Sequence, residues 1–393
     1  MQPIKTGTNY RITSLDLLKG IVMVVMALDH IRDYFHAPAF IYDPNDPSFT
    51  SLPIFFTRWI TNFCAPVFCL LAGTSAYLSG RRKSKKQLSA FLLKRGIWLV
   101  FLELTVVNFG WYFDINLHSP GLLVIWSLGI SMIVLSALIH LPQKVIVIFS
   151  ILVIFGHNLL DNTHFPGSYP WAFLHEESVF KYSETFRLYV AYPIIPWIAV
   201  MSLGYCFGSL YNPSFDAGKR KKWLLYIGAG SITLFLLLRG INIYGNPSPW
   251  IQYATFRKTL ISFLATAKYP PSLLYLLMTL GPALIFLAIT EKYKGWLVNF
   301  FSTFGRVPFF YYILHLYLIH SLALVAAQLS GYGWQIMILP DWLSYLPGLR
   351  GYGFPLWVVY LVWLTVILVL YPLCKKFDRY KSTHKEKWWL SYL

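Results

Sequence analysis

Ten stretches of about twenty mostly apolar residues recur along the chain, and that is the length a helix needs to cross a bilayer. They lie at 15–34, 57–79, 91–113, 120–140, 144–160, 190–211, 223–242, 271–290, 307–328 and 355–374. Inside hydrocarbon every backbone N–H and C=O must be satisfied within its own segment, so each stretch is read as a helix. Of the 393 residues only 12% are charged and 56% are hydrophobic. A soluble protein carries roughly 25% charge, so neither a water-soluble globule nor a disordered chain fits. Four cysteines, lying within spans or at a span's end, argue against a disulfide scaffold. The expected fold is all-α: a polytopic integral membrane helix bundle of about ten transmembrane helices, forming one domain over 1–393.

The formal net charge of +17 would suggest nucleic acid in a soluble domain, but its placement gives a different reading. Ten spans put both termini on one side, and twenty-two of the Lys and Arg residues fall on that side against nine on the other. The excess is concentrated in Arg81–Lys86, Lys219–Lys222 and the tail after Lys375. A basic side of this kind faces the cytoplasm, so both termini are expected there and nucleic acid is not expected as a partner. The first run is helix-length, contains Asp29 and His30, and lacks a small-residue cleavage site, so no cleaved signal peptide is expected. The long connections 35–56, 161–189, 243–270 and 329–354 fall on the outer side and are rich in Pro, Gly, Tyr and Trp, suited to roofing a pocket.

Titratable groups in hydrocarbon cost several kcal/mol unless paired, so each is a functional candidate. Lys19 and His30 lie eleven residues apart, close to three turns, on one helical face and about 16 Å apart along the axis. That stripe offers a cation near the inner phosphates and a base near the outer leaflet. His30 is the leading catalytic candidate, because imidazole takes up and returns protons near neutral pH. Asp33, one turn on, is placed to orient its ring, while Asp29 points toward Arg32 or Arg58 on the acceptor side; His36 is a second candidate base. Asn62 of the second span lies at about the depth of His30, where its amide would polarise an acyl oxygen. Glu103 and His315 share a mid-membrane depth and are read as a pair, and His320, rotated away from His315, as meeting the outer interface. No zinc, Walker, Rossmann or nucleophile-elbow pattern occurs, so no metal or nucleotide chemistry is expected.

The first span reads Arg11-Ile-Thr-Ser-Leu-Asp16-Leu-Leu-Lys19-Gly20 with His30 following, and the second Phe63-Cys-Ala-Pro66 through Gly73-Thr-Ser. Further on come Tyr192-Pro193-Ile-Ile-Pro196-Trp197, Lys268-Tyr-Pro-Pro271, Phe304-Gly305-Arg306-Val-Pro308 through His315, and Trp388-Trp389. These resemble the heparan-α-glucosaminide N-acetyltransferase family in its bacterial branch, over most of the chain. Lys19 and His30 also match, more loosely, the Arg, ten residues, His pattern of the wider transmembrane acyltransferases. Two departures stand out. Lys replaces Arg at 19, and the eukaryotic enzyme has Asn at the position of His30 and its active histidine at that of Ile41.

The resemblance implies a multi-pass enzyme of a bacterial inner membrane that moves an acetyl group from cytosolic acetyl-CoA to an amino sugar or other glycan acceptor on the far side. On that reading Lys19, Arg11, Arg82, Lys83, Arg306 and His315 belong to the donor side. Trp171, His175 and Glu176 of the outer loops, with Asp29, hold the acceptor, and an extended soluble domain before the first helix is not expected to contribute. Membrane lipid is the other expected partner, and an oligomer is open. The alternative class is a secondary transporter or flippase for a polar glycan or lipid-linked solute, with Glu103, His315 and Asp29 as a proton path and Pro193, Pro196 and Pro308 breaking helices. A noncatalytic lipid- or glycan-binding component is the third reading.

Overall fold

The computed structural model describes residues 12–391. Each of the ten apolar stretches holds a helix. The helices of ten or more residues, including one (α9) between two stretches, are α1 (Thr13–Phe35), α2 (Leu52–Gly80), α3 (Lys85–Leu102), α4 (Val124–Leu138), α5 (Gln143–Leu160), α6 (Trp197–Tyr211), α7 (Ala217–Ile241), α8 (Leu273–Thr290), α9 (Trp296–Arg306), α10 (Pro308–Leu329) and α11 (Leu356–Thr383). Helix α3 runs on through a π-helical turn, Glu103–Val107, into Asn108–Tyr112.

Six of these, α2, α5, α7, α8, α10 and α11, are long and apolar enough to cross a membrane among the described residues. The other four expected spans fall short for physical reasons. Helices α4 and α6 have 15 residues each, about 22 Å. Helix α1 carries Asp16, Lys19, Asp29, Arg32 and Asp33, and α3 carries Lys85, Lys86, Lys94 and Arg95. Outward-facing residues of α7 and α11 are large and apolar, such as Tyr226, Leu237, Leu361 and Leu368, as expected of an integral membrane protein.

Local sequence fixes several helix starts. Ser84 and Gln87 form a reciprocal capping box at α3. Asp216 accepts from Lys219 N (2.7 Å) at α7, and Ser272 from Tyr275 N (3.1 Å) at α8. Packing then depends on glycine facing glycine: Gly20 with Gly305 (α1, α9), Gly73 with Gly204 (α2, α6), Gly96 with Gly129 (α3, α4) and Gly228 with Gly281 (α7, α8). A Cβ on Gly20 would lie 1.8 Å from the Phe301 carbonyl oxygen, so at that crossing backbone meets backbone with no room for a side chain.

The structure departs from all-α in the connections opposite the basic end. There β1 (Gly121–Leu122), β2 (Ser178–Lys181) and β3 (Arg187–Val190) form a sheet of order β1-β3-β2, with β1 parallel and β2 antiparallel to β3. The alternating Ser-Val-Phe-Lys and Arg-Leu-Tyr-Val segments flank a five-residue turn, a hairpin pattern too short to register among twenty-residue runs. Arg187, paired with Asp341, ties this sheet to the loop before α11.

Candidate active site

Helices α1 and α10 cross so that His30 and His315 meet, with 2.9 Å between His30 Nδ1 and His315 Nε2 and the rings stacked at 4.9 Å. The other nitrogen of His315, Nδ1, lies 2.9 Å from the Tyr311 carbonyl, which can only accept. For two neutral rings the network permits one arrangement. His315 Nδ1–H donates to Tyr311, His30 Nδ1–H donates to His315 Nε2, and the lone pair of His30 Nε2 is left free. His30 Nε2 takes no partner among the described residues, and His30 lines a cavity of about 820 Å³. Trp111 holds the ring edge-on at 4.7 Å, with Tyr312 at 6.3 Å.

This cavity opens at the end of the bundle opposite the basic loops. Its walls include Asn62, Tyr192, Tyr269, Trp342 and Glu177. Asn62 has its backbone carbonyl occupied by Tyr275 OH (2.7 Å), while its side-chain amide, among the described residues, makes no hydrogen bond and faces the cavity. Glu177 accepts from Tyr189 OH. Burial pushes the Glu177 carboxyl up despite that bond, and burial together with the nearby Glu177 carboxylate raises the Tyr189 phenol.

A second cavity, of about 370 Å³, opens between α1, α2, α3 and α4 toward the basic end. Lys19, Lys83 and Arg95 supply its charge, and Met23, Phe68, Leu71, Leu92, Leu128 and Met132 much of its apolar wall. Lys19 Nζ donates to Ser75 Oγ at 3.0 Å. Val124 and Tyr312 line both cavities, so these two side chains stand between them, with His30 directly beyond.

Two residues with a high cost of burial hold that partition. Glu103 Oε2 accepts from Trp126 N (2.8 Å), a free amide of the first turn of α4, rather than meeting His315. Asn108 clamps β1 through Gly121 O (3.0 Å) and Gly121 N (2.5 Å). Both therefore fix the β1 to α4 junction that carries Leu123 and Val124. The π-helical turn is the insertion that lets Glu103 and Asn108 reach it from one helix.

The other candidates divide between the larger cavity and places outside it. Asp33 bonds Arg32 (2.6 Å) rather than the His30 ring, whose orienting partner is His315. Asp29 does meet Arg58 (3.0 Å) and Arg32 (3.2 Å), and all of these line the larger cavity. His36 ends α1 outside both cavities, beside Phe354, and burial, with Arg32 nearby, lowers its pKa to about 4. Arg306 is engaged by Asp378 (2.7 Å) and Arg82 lies outside the smaller cavity, which Lys83 lines. Arg11 lies outside the described residues.

His320 is fully buried, its ring nitrogens 2.9 Å from Gly110 O and 2.7 Å from Met337 O, because the 329–354 connection folds back over α10. Trp171, His175 and Glu176 do not line the cavity: His175 lies 3.3 Å from Asp161 and Glu176 bonds His164 (3.0 Å). Glu177, one residue on, faces it instead, since neighbours entering a strand point to opposite sides. Tyr312, Arg58 and Lys268 were not put forward as site residues from the sequence; Lys268, within its Lys-Tyr-Pro-Pro motif, gave the clearest signal.

Residues 11–240 match the family described as heparan-alpha-glucosaminide N-acetyltransferase, catalytic. The chain belongs to this family. No individually curated protein matches it. Family membership makes it a membrane acetyltransferase, and the matched span contains Lys19, His30, Asn62, Glu103 and Val124. The helix bringing His315 and Tyr312 to His30 lies beyond it.

Proposed function

We propose that the chain moves an acetyl group from cytosolic acetyl-CoA to an amino sugar or related glycan acceptor on the outer face of a bacterial inner membrane, with both termini in the cytoplasm. The observation that carries this reading is the free His30 Nε2 at the floor of the larger cavity, with the smaller cavity ending against the same Tyr312 and Val124. Lys19, Lys83 and Arg95 suit the phosphates of the donor, and the apolar wall suits its thioester arm.

In the transfer, the acceptor amine attacks the thioester carbonyl carbon while His30 Nε2 takes the amine proton. The Asn62 amide donates to the carbonyl oxygen as it gains charge. The C–S bond breaks, and the thiolate leaves as CoA thiol with the proton that His30 held. A proton path through Glu103 and His315 finds less support, because Glu103 is committed to an α4 amide and His315 to Tyr311 and His30.

The test uses purified protein in vesicles, with labelled acetyl-CoA on the basic side and glucosamine acceptors opposite. Transfer lost in His30→Ala and kept in His36→Ala is the expected result. Acceptor crossing with no CoA released would replace this reading with transport.

A further inference from the structure

Three cations converge on one carboxylate beside His30. Asp29 lies 3.0 Å from Arg58, 3.2 Å from Arg32 and 3.6 Å from Lys268. Among the described residues Asp33 takes only Arg32, through the same Nη2 that reaches Asp29. Arg58 spends Nη1 on both Asp29 oxygens and on Thr61 Oγ1 (3.1 Å). Its Nε and Nη2 find no acceptor among the described residues. Lys268 Nζ, at 3.6 Å, is beyond hydrogen-bond reach of Asp29 and rests over the Tyr269 ring at 5.2 Å. Both side chains are about nine-tenths buried, at 11% and 10% exposure, and both line the larger cavity.

A guanidinium and an ammonium with unused donors in such a recess carry a desolvation cost that an oxyanion removes. The cavity's other acids do not offset them. Glu177 is bonded to Tyr189, and Asp43, on the exposed rim, accepts from Asn45 N. Arg58 and Asn62 stand four residues apart on α2, and Asp29 directly precedes His30, so the cations, the amide and the base border one space.

We propose that Arg58 and Lys268 form a subsite for an oxyanion carried by the acceptor, a carboxylate or a phosphate ester near the amine that His30 deprotonates. This rests on the reading of the larger cavity as the acceptor site. The guanidinium fork offers Nε–H and Nη2–H side by side to two oxygens, and Lys268 adds a point charge.

The experiment compares glucosamine with glucosamine 1-phosphate, glucosamine 6-phosphate and muramic acid as acceptors in the vesicle assay, so that the two phosphates and the carboxylate are separate arms. At least one anionic acceptor is expected to exceed glucosamine in kcat/KM by about tenfold or more, as charge-assisted hydrogen bonds allow. That ratio should collapse toward one in Lys268→Met and Arg58→Met and be kept by Lys268→Arg, whatever the absolute rates. Equal use of neutral and anionic acceptors by the unmodified protein overturns the subsite and leaves the acetyltransferase reading standing.

A second measurement does not depend on turnover. Sulfate, at ionic strength matched with chloride, is expected to raise Tm more for the unmodified protein than for Lys268→Met. If no acceptor is acetylated yet this difference is found, the subsite stands and the transfer reading fails. If the sulfate effect is the same in both proteins, the subsite is refuted.

Discussion

Replacing His315 with alanine tests the tautomer argument directly. His315 Nε2 is the acceptor that holds the His30 proton on Nδ1 (2.9 Å) and so keeps the Nε2 lone pair on the cavity side. Without it, His30 Nδ1–H is left buried against Trp111 with no partner, which costs about 1–3 kcal/mol. The cheaper tautomer then carries its proton on Nε2, where the cavity can accept it, and the base no longer presents a lone pair to the acceptor amine. Recovering the productive tautomer adds that same cost to the barrier, so kcat should fall about 5- to 150-fold. Glutamine at 315 offers a carbonyl oxygen near the former Nε2 and should restore much of the loss, separating the hydrogen bond from cavity creation. The assay is single-turnover acetyl transfer in vesicles under donor saturation, with the donor KM measured in parallel and expected to stay constant. Equal loss in His315→Ala and His315→Gln, or full activity of the alanine variant where His30→Ala is inactive, would refute the reasoning.

Removing the Lys19 charge (Lys19→Met) should raise the KM for acetyl-CoA about tenfold, the worth of one charge-assisted contact, and leave the acceptor KM unchanged in steady-state kinetics. His36, neutral when folded because its pKa is lowered to about 4, binds a proton more readily in the unfolded chain, whose value is near 6.5. Its contribution to stability is therefore complete above about pH 6.5 and lost as pH falls toward 4. Thermal melts of the unmodified protein and His36→Gln should diverge in that window, and parallel melts would contradict the assignment. Gly20→Ala drives a methyl against the Phe301 carbonyl and should destabilise by about 1–3 kcal/mol, whereas Gly156→Ala, with open space around it, should leave the detergent melting curve unmoved.

The positions of the helices were legible because hydrophobic length is a property of single segments. Their membrane-crossing capacity was less so, since α1 pairs its outer charges with neighbours, α3 leaves Lys85, Lys86 and Lys94 exposed, and α4 and α6 are short. The intramembrane groups were also visible one by one: His30, Asn62, Glu103 and His315 stand out wherever hydrocarbon makes them costly. Their partners were not. His30 and His315 are 285 residues apart, and only the α1 and α10 crossing joins them. Glu103 found a helix-start amide rather than a histidine, because an unpaired N–H of α4 lay within reach. The larger cavity is lined by Glu177 rather than Glu176, because strand alternation in the short sheet cannot be read from a segment not recognised as a strand.

Helix α10, which presents both Tyr312 and His315, has no glycine along Pro308–Leu329. Its neighbour α1 is locked to α9 by a glycine crossing, while α10 meets α1 and the end of α3 through the side chains of His315, Tyr317 and His320. In mechanical terms the α1–α9 and α3–α4 pairs are tightly seated, and α10 is a rod held against α1 by side chains. A small roll of that rod would swing the phenol of Tyr312 aside and shift the imidazole pair together, coupling passage of the thioester to readiness of the base. Spin labels on α10 and α1 should report that rotation when donor binds.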